Sequence, residues 1–274
     1  MSLSRFKSIM IIDNYNDANS NTHLSANFEI NMNISSAQAI ETPQLICKRT
    51  KIEWSAKQFT NSQVFKNIWA RAVLSYFDWV SFIPELKDFS VHERVSNMLI
   101  AGRSMQSLWA TFTHRSAGYN APGILFPGGC YFPRDKEEWK KMDPNIIMSC
   151  SRISDMVNYE IIDEMKSLEI TDEEFAILKV LCFFTAVPQL SKEGYEIVQQ
   201  AKRKYANILT ELIRTKHSNK PFTEIIERVN RFMLILPTIE KLTQIDNEVL
   251  GMMIVFNMAQ MKNSLCYELH IGKK

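Results

Sequence analysis

Histidines and cysteines are the residues of this chain best suited to hold a metal or act as nucleophiles, and their spacing supports neither role. His23, His92, His114, His217 and His270 lie far apart, and none has a Cys or acid at the short intervals from which zinc sites are built. Cys47, Cys130, Cys150, Cys182 and Cys266 form no C-x-x-C pair. An odd count suits neither a disulfide framework nor a zinc module, so reduced, intracellular thiols are expected. The phosphate loop G-x-x-x-x-G-K-[ST], the dinucleotide G-x-G-x-x-G, the zinc-protease H-E-x-x-H and the nucleophile elbow G-x-S-x-G are all missing. Neighbouring acids such as Asp163 and Glu164, or Asp172, Glu173 and Glu174, fall in first turns of helices, where the dipole favours negative charge. The expectation is a protein that is not an enzyme, with no catalytic residue, metal or cofactor.

The elements that would position any other site are helical. Only 8 glycines and 9 prolines, against 14 methionines and 16 phenylalanines, favour long helices packed through bulky side chains over a turn-rich β fold. An apolar share of 46% is enough for a substantial core, and a net charge of +2 points to neither a nucleic-acid-coating nor a membrane-surface protein. From Asp13 to about Pro43 the chain is rich in Asn and Ser without a sustained period, so residues 1–50 read as a mostly disordered leader and 51–274 as the domain.

Within the domain, Val64, Ile68, Ala72, Tyr76, Trp79 and Ile83 recur at helical spacing up to Pro84. A second stripe starts at Val91 and runs through Val95, Met98, Met105, Trp109 and Phe112. "PGILFPGGCYFPR", Pro122 to Arg134, is the exception: two apolar runs flank Pro127, Gly128 and Gly129, which predicts one small β-hairpin. Asp143 before Pro144 reads as a helix cap, and Thr171 with Glu174 as a capping box. The last apolar stripe, from Phe222 through Pro237 to Phe256, predicts a very long helix with a kink near the proline.

"WVSFIPELKDFSVHERV", Trp79 to Val95, resembles the signature of the nuclear hormone receptor ligand-binding domain, with Trp79, Ile83, Pro84, Leu86, Phe89 and Glu93 on its positions. "FTHRS" with "GILFPGGCYFPR" resembles the end of that family's central helix and its hairpin. "EFAILKVLCFF" with "PQLS" resembles the next buried helix, and "RFMLILPTIEKL" the dimer-forming one. The chain is similar to a divergent, nematode-type member. The resemblance implies an all-α, three-layer antiparallel helical sandwich with one small β-hairpin, working in transcription regulation in the nucleus, with the cytoplasm as a second compartment.

It also implies sites. A pocket for a small lipophilic ligand would be walled by Trp69, Ala72, Tyr76, Met105, Leu108, Phe112, Leu125 and Phe126, with Arg115 facing an acidic ligand group. Plain core packing explains the same apolar residues equally well, and a structural ion pair the arginine. A coregulator helix of the LxxLL type would sit in a groove clamped at its two ends by a lysine and a glutamate. Here the lysine position is Ser81, with Arg94 as a substitute cation, and the closing "SLCYELHIGKK" resembles the family's activation helix, expected over 264–271. Glu268 would cap the partner helix while Leu265 and Leu269 bury.

The dimer helix would carry Arg231, Leu236, Pro237 and Glu240, the last where the family has an arginine, for pairing with itself or another nuclear receptor. Only Cys47 precedes the domain, so a zinc module for direct DNA binding is not expected in this chain. No membrane contact is expected either. The alternative keeps the fold without the ligand: a helical dimerisation and interaction module with a filled pocket.

Overall fold

The structure, a computed structural model, describes Leu24 and residues 28–89, 93–185 and 190–272, and for 87–89 and 93–97 the backbone alone. Its helices are α1 (Ser36–Glu41), α2 (Ser62–Val80), α3 (Glu93–Gly102), α4 (Ser104–Gly118), α5 (Pro144–Asp155), α6 (Asp163–Ser167), α7 (Asp172–Phe183), α8 (Lys192–Lys216), α9 (Phe222–Val255) and α10 (Ser264–His270). A π-helical stretch, Met156–Ile162, joins α5 to α6. The start of the second predicted stripe, Val91, and Pro188 and Gln189 of the quoted "PQLS" lie outside the described residues.

The middle of the molecule is α4 and α7, packed on each other, with α2 and α9 against α4 and with α8 against α7. This is the helical sandwich the sequence resemblance implies. The centre is buried on every side, so its polar groups must find partners inside. On α4 they return to the backbone: Thr113 Oγ1 donates to the Trp109 carbonyl at 2.8 Å and Ser116 Oγ to that of Phe112 at 2.6 Å. Ser116 also accepts from the Leu125 N–H at 2.8 Å, tying the hairpin to the central helix.

The hairpin pairs β2 (Gly123–Phe126) with β3 (Cys130–Pro133) in antiparallel register, Leu125 opposite Tyr131. Gly128 and Gly129 turn it with φ of +84° and +76°, a region open to glycine at little cost. A two-residue strand, β1 (Gln58–Phe59), adds to β3 in parallel. No alternating pattern announces a strand so short.

The expected leader is corrected for the part described. Residues 28–50 fold onto the domain: Ile30 bridges Cys47, α1 forms behind a Ser35–Gln38 capping box, and Met32, Ala39, Ile46 and Cys47 are buried. Six residues cannot hold a helix in water by themselves, so this segment is ordered by what it docks against. Local periodicity had nothing to reveal.

Ion pairs fix α9. Glu174 of α7, wholly buried, closes the predicted capping box on Thr171 and accepts from Arg228 Nε and both Arg228 contacts of its terminal nitrogen, while Arg228 also donates to the Leu168 carbonyl. α9 runs through Pro237 as one helix of 34 residues; the proline ring is exposed, and the Met233 carbonyl is left without its usual helical donor. Glu85, just past α2, takes hydrogen bonds from Lys204 and Tyr205 and so anchors α8.

All five cysteines are unpaired and buried. Burial pushes the thiols of Cys150, Cys182 and Cys266 from 9.0 up to about 12, and that of Cys47 up to about 11. They stay protonated in the fold at pH values where unfolded thiols ionise. The unfolded state then binds fewer protons, so folding stability is intact below pH 9 and falls as pH rises from there toward 12. Denaturant midpoints measured from pH 8 to 11 should decline accordingly, and iodoacetamide should label the thiols only once denaturant is added. Arg228→Ala would leave the Glu174 carboxylate buried without its cation and should cost about 3–5 kcal/mol in urea unfolding. Removing exposed Arg214, paired with Glu211 on α8, should cost at most about 1 kcal/mol by the same measurement.

Candidate functional site

Below the centre, α2, α4, α5, α9 and β2 surround a cavity of about 50 Å³. Six of the expected pocket residues, Trp69, Ala72, Met105, Leu108, Phe112 and Phe126, line it. Tyr76 and Arg115 instead line a neighbouring cavity of about 30 Å³, across the shared wall of Ala72, Leu108 and Phe112. Leu125 lines neither; it is fully buried, with its backbone held by Ser116. The remaining wall comes from Phe65, Ile68, Trp109, Ser149, Cys150, Ile153, Asp246, Val249 and Leu250. Those on α5 and α9 escaped the sequence reading because its pocket walls come only from the first two long helices and the hairpin. The available signal was Asp246, an acid inside an apolar stripe.

Aromatic rings take up most of the space. Phe112 packs edge-on against Trp109 and Phe126, with ring centres 5.6 and 5.3 Å apart. What is left holds one or two waters at roughly 30 Å³ each. Sites for drug-sized ligands run to about 300–1,000 Å³. Two polar groups of the cavity walls are already engaged: Trp109 Nε1 donates to Asp246 Oδ2 at 2.8 Å, and the Tyr76 hydroxyl donates to the Ile100 carbonyl at 2.7 Å. Burial holds the Tyr76 phenol well above its usual range, so it remains a donor. The Arg115 guanidinium lies 6.0 Å from the centre of the Trp54 ring, a cation–π distance.

The last described helix, α10, packs on α9, α1 and α3. α10 starts at Asn263, whose side chain accepts from the Cys266 N–H at 2.9 Å, and it buries Leu265, Cys266, Leu269 and His270 while Tyr267 faces out. His270 is the anchor of this helix. Trp69 Nε1 donates to its Nε2 at 3.1 Å, and Nδ1 lies 3.0 Å from Asn247 Oδ1. An indole can only donate, so Nε2 accepts and Nδ1 carries the proton it gives to Asn247. One ring thus joins α10 to α2 and α9.

Glu268 faces a second group of partners. Its Oε2 accepts from the Ser36 N–H and from Ser36 Oγ, each at 2.7 Å, at the first turn of α1. The Leu265 N–H donates to the Met32 carbonyl at 3.0 Å. α1 packs on α2, α3 and α10, the elements that carry or end at the expected groove residues Ser81, Arg94 and Glu268. At the other end Ser81 is exposed, its hydroxyl donating to the Asp78 carbonyl at 2.7 Å. The side chain of Arg94 lies outside what the structure describes.

On the expected dimer helix, two residues turn inward. Arg231 grips Glu164 at 2.7 Å and Ser167 at 2.8 Å on α6, and Glu240 accepts from buried Arg103 at 2.6 Å. Leu236 is half-buried and Pro237 exposed. The large apolar side chains that α9 shows to solvent are Phe222, Ile226 and Leu234 in its first half and Met252 and Val255 at its end. Among the described residues no cluster of three or more His, Cys, Asp or Glu could hold a metal, and no helix is long and apolar enough to cross a membrane.

His270→Ala would leave the buried Trp69 N–H and the Asn247 oxygen without this partner. It should lower stability by about 1–3 kcal/mol. Hydrogen exchange should rise first over 264–270, and unchanged exchange there would show that the ring does not hold the helix.

A model of the family described as the ligand-binding domain of nuclear hormone receptor matches residues 51–256. Among curated proteins, the chain is 27% identical over 213 residues to nuclear hormone receptor family member nhr-100 of Caenorhabditis elegans, covering 77% of this chain and 48% of that protein. It is 25% identical over 226 residues to nhr-4 of the same organism, covering 80% and 43%. To the transcription factor HNF-4 homolog of Drosophila melanogaster it is 25% identical over 220 residues, covering 80% and 29%. The chain therefore spans about half or less of the length of these relatives. Helices packed around a central α4, a hairpin beside its end, and a match over most of the length lead to one conclusion: this chain belongs to the nuclear hormone receptor family, a family of non-enzymatic transcription factors, through its ligand-binding domain.

Proposed function

We propose that this domain regulates transcription in the nucleus by recruiting coregulators through a surface set by its own internal packing, without the uptake of a drug-sized ligand. The observation that carries this reading is the interior cavity of about 50 Å³, closed by Trp109, Phe112 and Phe126. The activation helix α10 is already seated by His270. A ligand would therefore have little left to organise. The competing reading, uptake of a small lipophilic ligand, draws on the apolar lining and on Asp246 as a lone polar anchor; its weakness is the volume.

Partnership with a second receptor chain, or with a copy of this one, is supported by the exposed Phe222, Ile226 and Leu234 on α9. The inward ion pairs of Arg231 and Glu240 leave that partnership to apolar packing.

Mass spectrometry of small molecules extracted from the purified protein should find none in stoichiometric amount. Apolar ligands at saturating concentration should leave the melting temperature unchanged. A ligand at about 100 times its Kd would add about 2.7 kcal/mol, so a true ligand would be plain in the same scan and would restore the uptake reading. For the dimer surface, Leu234→Glu should shift sedimentation from dimer to monomer without changing the far-UV spectrum.

A further inference from the structure

The groove between α2, α3 and α10 is occupied by α1, from the same chain. α1 is seated as a guest helix would be. Ser36, Ala39 and Ile40 follow the i, i+3, i+4 spacing of the three leucines in an LxxLL helix. Ala39 is fully buried, and Ile40 is half-buried against the core. The Glu268 carboxylate holds the N–H of Ser36.

The opposite end is closed by the chain itself: the Thr42 N–H donates to the Gln38 carbonyl, and a 3-10 turn over Pro43–Leu45 follows directly. A helix that continues covalently into folded chain has no need of a cationic clamp there. Ser81, where the family's lysine would stand, is consistent with that. Residues 28–50 precede the part of the chain that the family model matches, 51–256, just as α10 follows it.

We propose that α1 is a resident pseudo-coregulator, held in cis, and that an external amphipathic LxxLL helix binds only by displacing it. The proposal rests on the reading of this groove as the coregulator site. One carboxylate oxygen of Glu268 serves both Ser36 donors, and a guest helix would need the same acceptor for its own first N–H groups. The two states therefore exclude each other. Ser36 and Ala39 bury less apolar surface than leucines would, which makes α1 a weak occupant contact for contact. Its advantage is attachment through residues 42–61, which makes docking intramolecular, with an effective concentration on the order of mM. A leucine-bearing partner outcompetes it only by its larger apolar contact.

The test uses the full chain and a fluorescein-labelled synthetic peptide carrying one Leu-x-x-Leu-Leu motif, with affinity read by polarisation. Ala39→Glu places a charge at the buried contact of α1 and leaves the groove walls untouched; Ile40→Ala is the milder companion should the first variant fold poorly. If α1 occupies the groove in more than about nine molecules in ten, releasing it should tighten peptide binding at least about tenfold. In wild type, saturating peptide should raise hydrogen exchange over 31–41 and leave 264–270 protected. Equal affinity for wild type and both variants would overturn the proposal and spare the groove. Weaker binding in the variants would overturn it by making α1 a buttress of α10. No binding to wild type or to either variant would remove the coregulator reading itself, and the competition with it.

Discussion

A buried indole must place its one donor, and much of this structure follows from where Trp69 places it. The ring lines the inner cavity and its N–H reaches His270 at the end of the chain. Asn247 takes the other side of the imidazole, so α2, α9 and α10 meet at a single ring. With α10 so fixed, Leu265 and Leu269 face inward, and Glu268 is aimed at the first turn of α1. Satisfying one N–H away from water thereby sets the position of α10 and of its contacts with α1.

The same economy governs the two layers that flank the centre. α9 is committed by its charges: Arg228 to Glu174, Arg231 to Glu164, and Glu240 to Arg103. These pairs use charges on the inner side of α9, while its outward face mixes apolar side chains such as Phe222 and Leu234 with exposed Glu224, Glu227, Lys241 and Glu248. Around the cavity, the aromatic side chains that could frame a ligand meet one another instead. Whether such a fold holds a ligand is decided by a few ring positions, since moving one phenylalanine changes the free volume by more than the 50 Å³ left.

Much of the fold could be read along the chain because its elements carry local signals. α2 and α4 repeat apolar residues at helical spacing, Pro84 stops the first, and the Pro127, Gly128, Gly129 turn needs the positive φ that glycine supplies. The Thr171–Glu174 box is a pattern of side-chain reach across one turn, and both of its hydrogen bonds form. Where a feature depends on distant partners, the reading failed. α1 has two apolar contacts and no period, β1 has two residues, and the α5 wall of the cavity belongs to a helix whose inward face looks like any other.

By itself, then, the sequence determined the helical class, the hairpin, the caps and the family, all of which rest on residue type at fixed short spacing or on order along the chain. Only the tertiary structure decided how full the pocket is, that His270 anchors α10, and that Glu268 is already engaged by Ser36 from 232 positions away. Volume and long-range hydrogen bonding are properties of packed surfaces meeting in three dimensions. A residue's own neighbours in the chain carry no record of them.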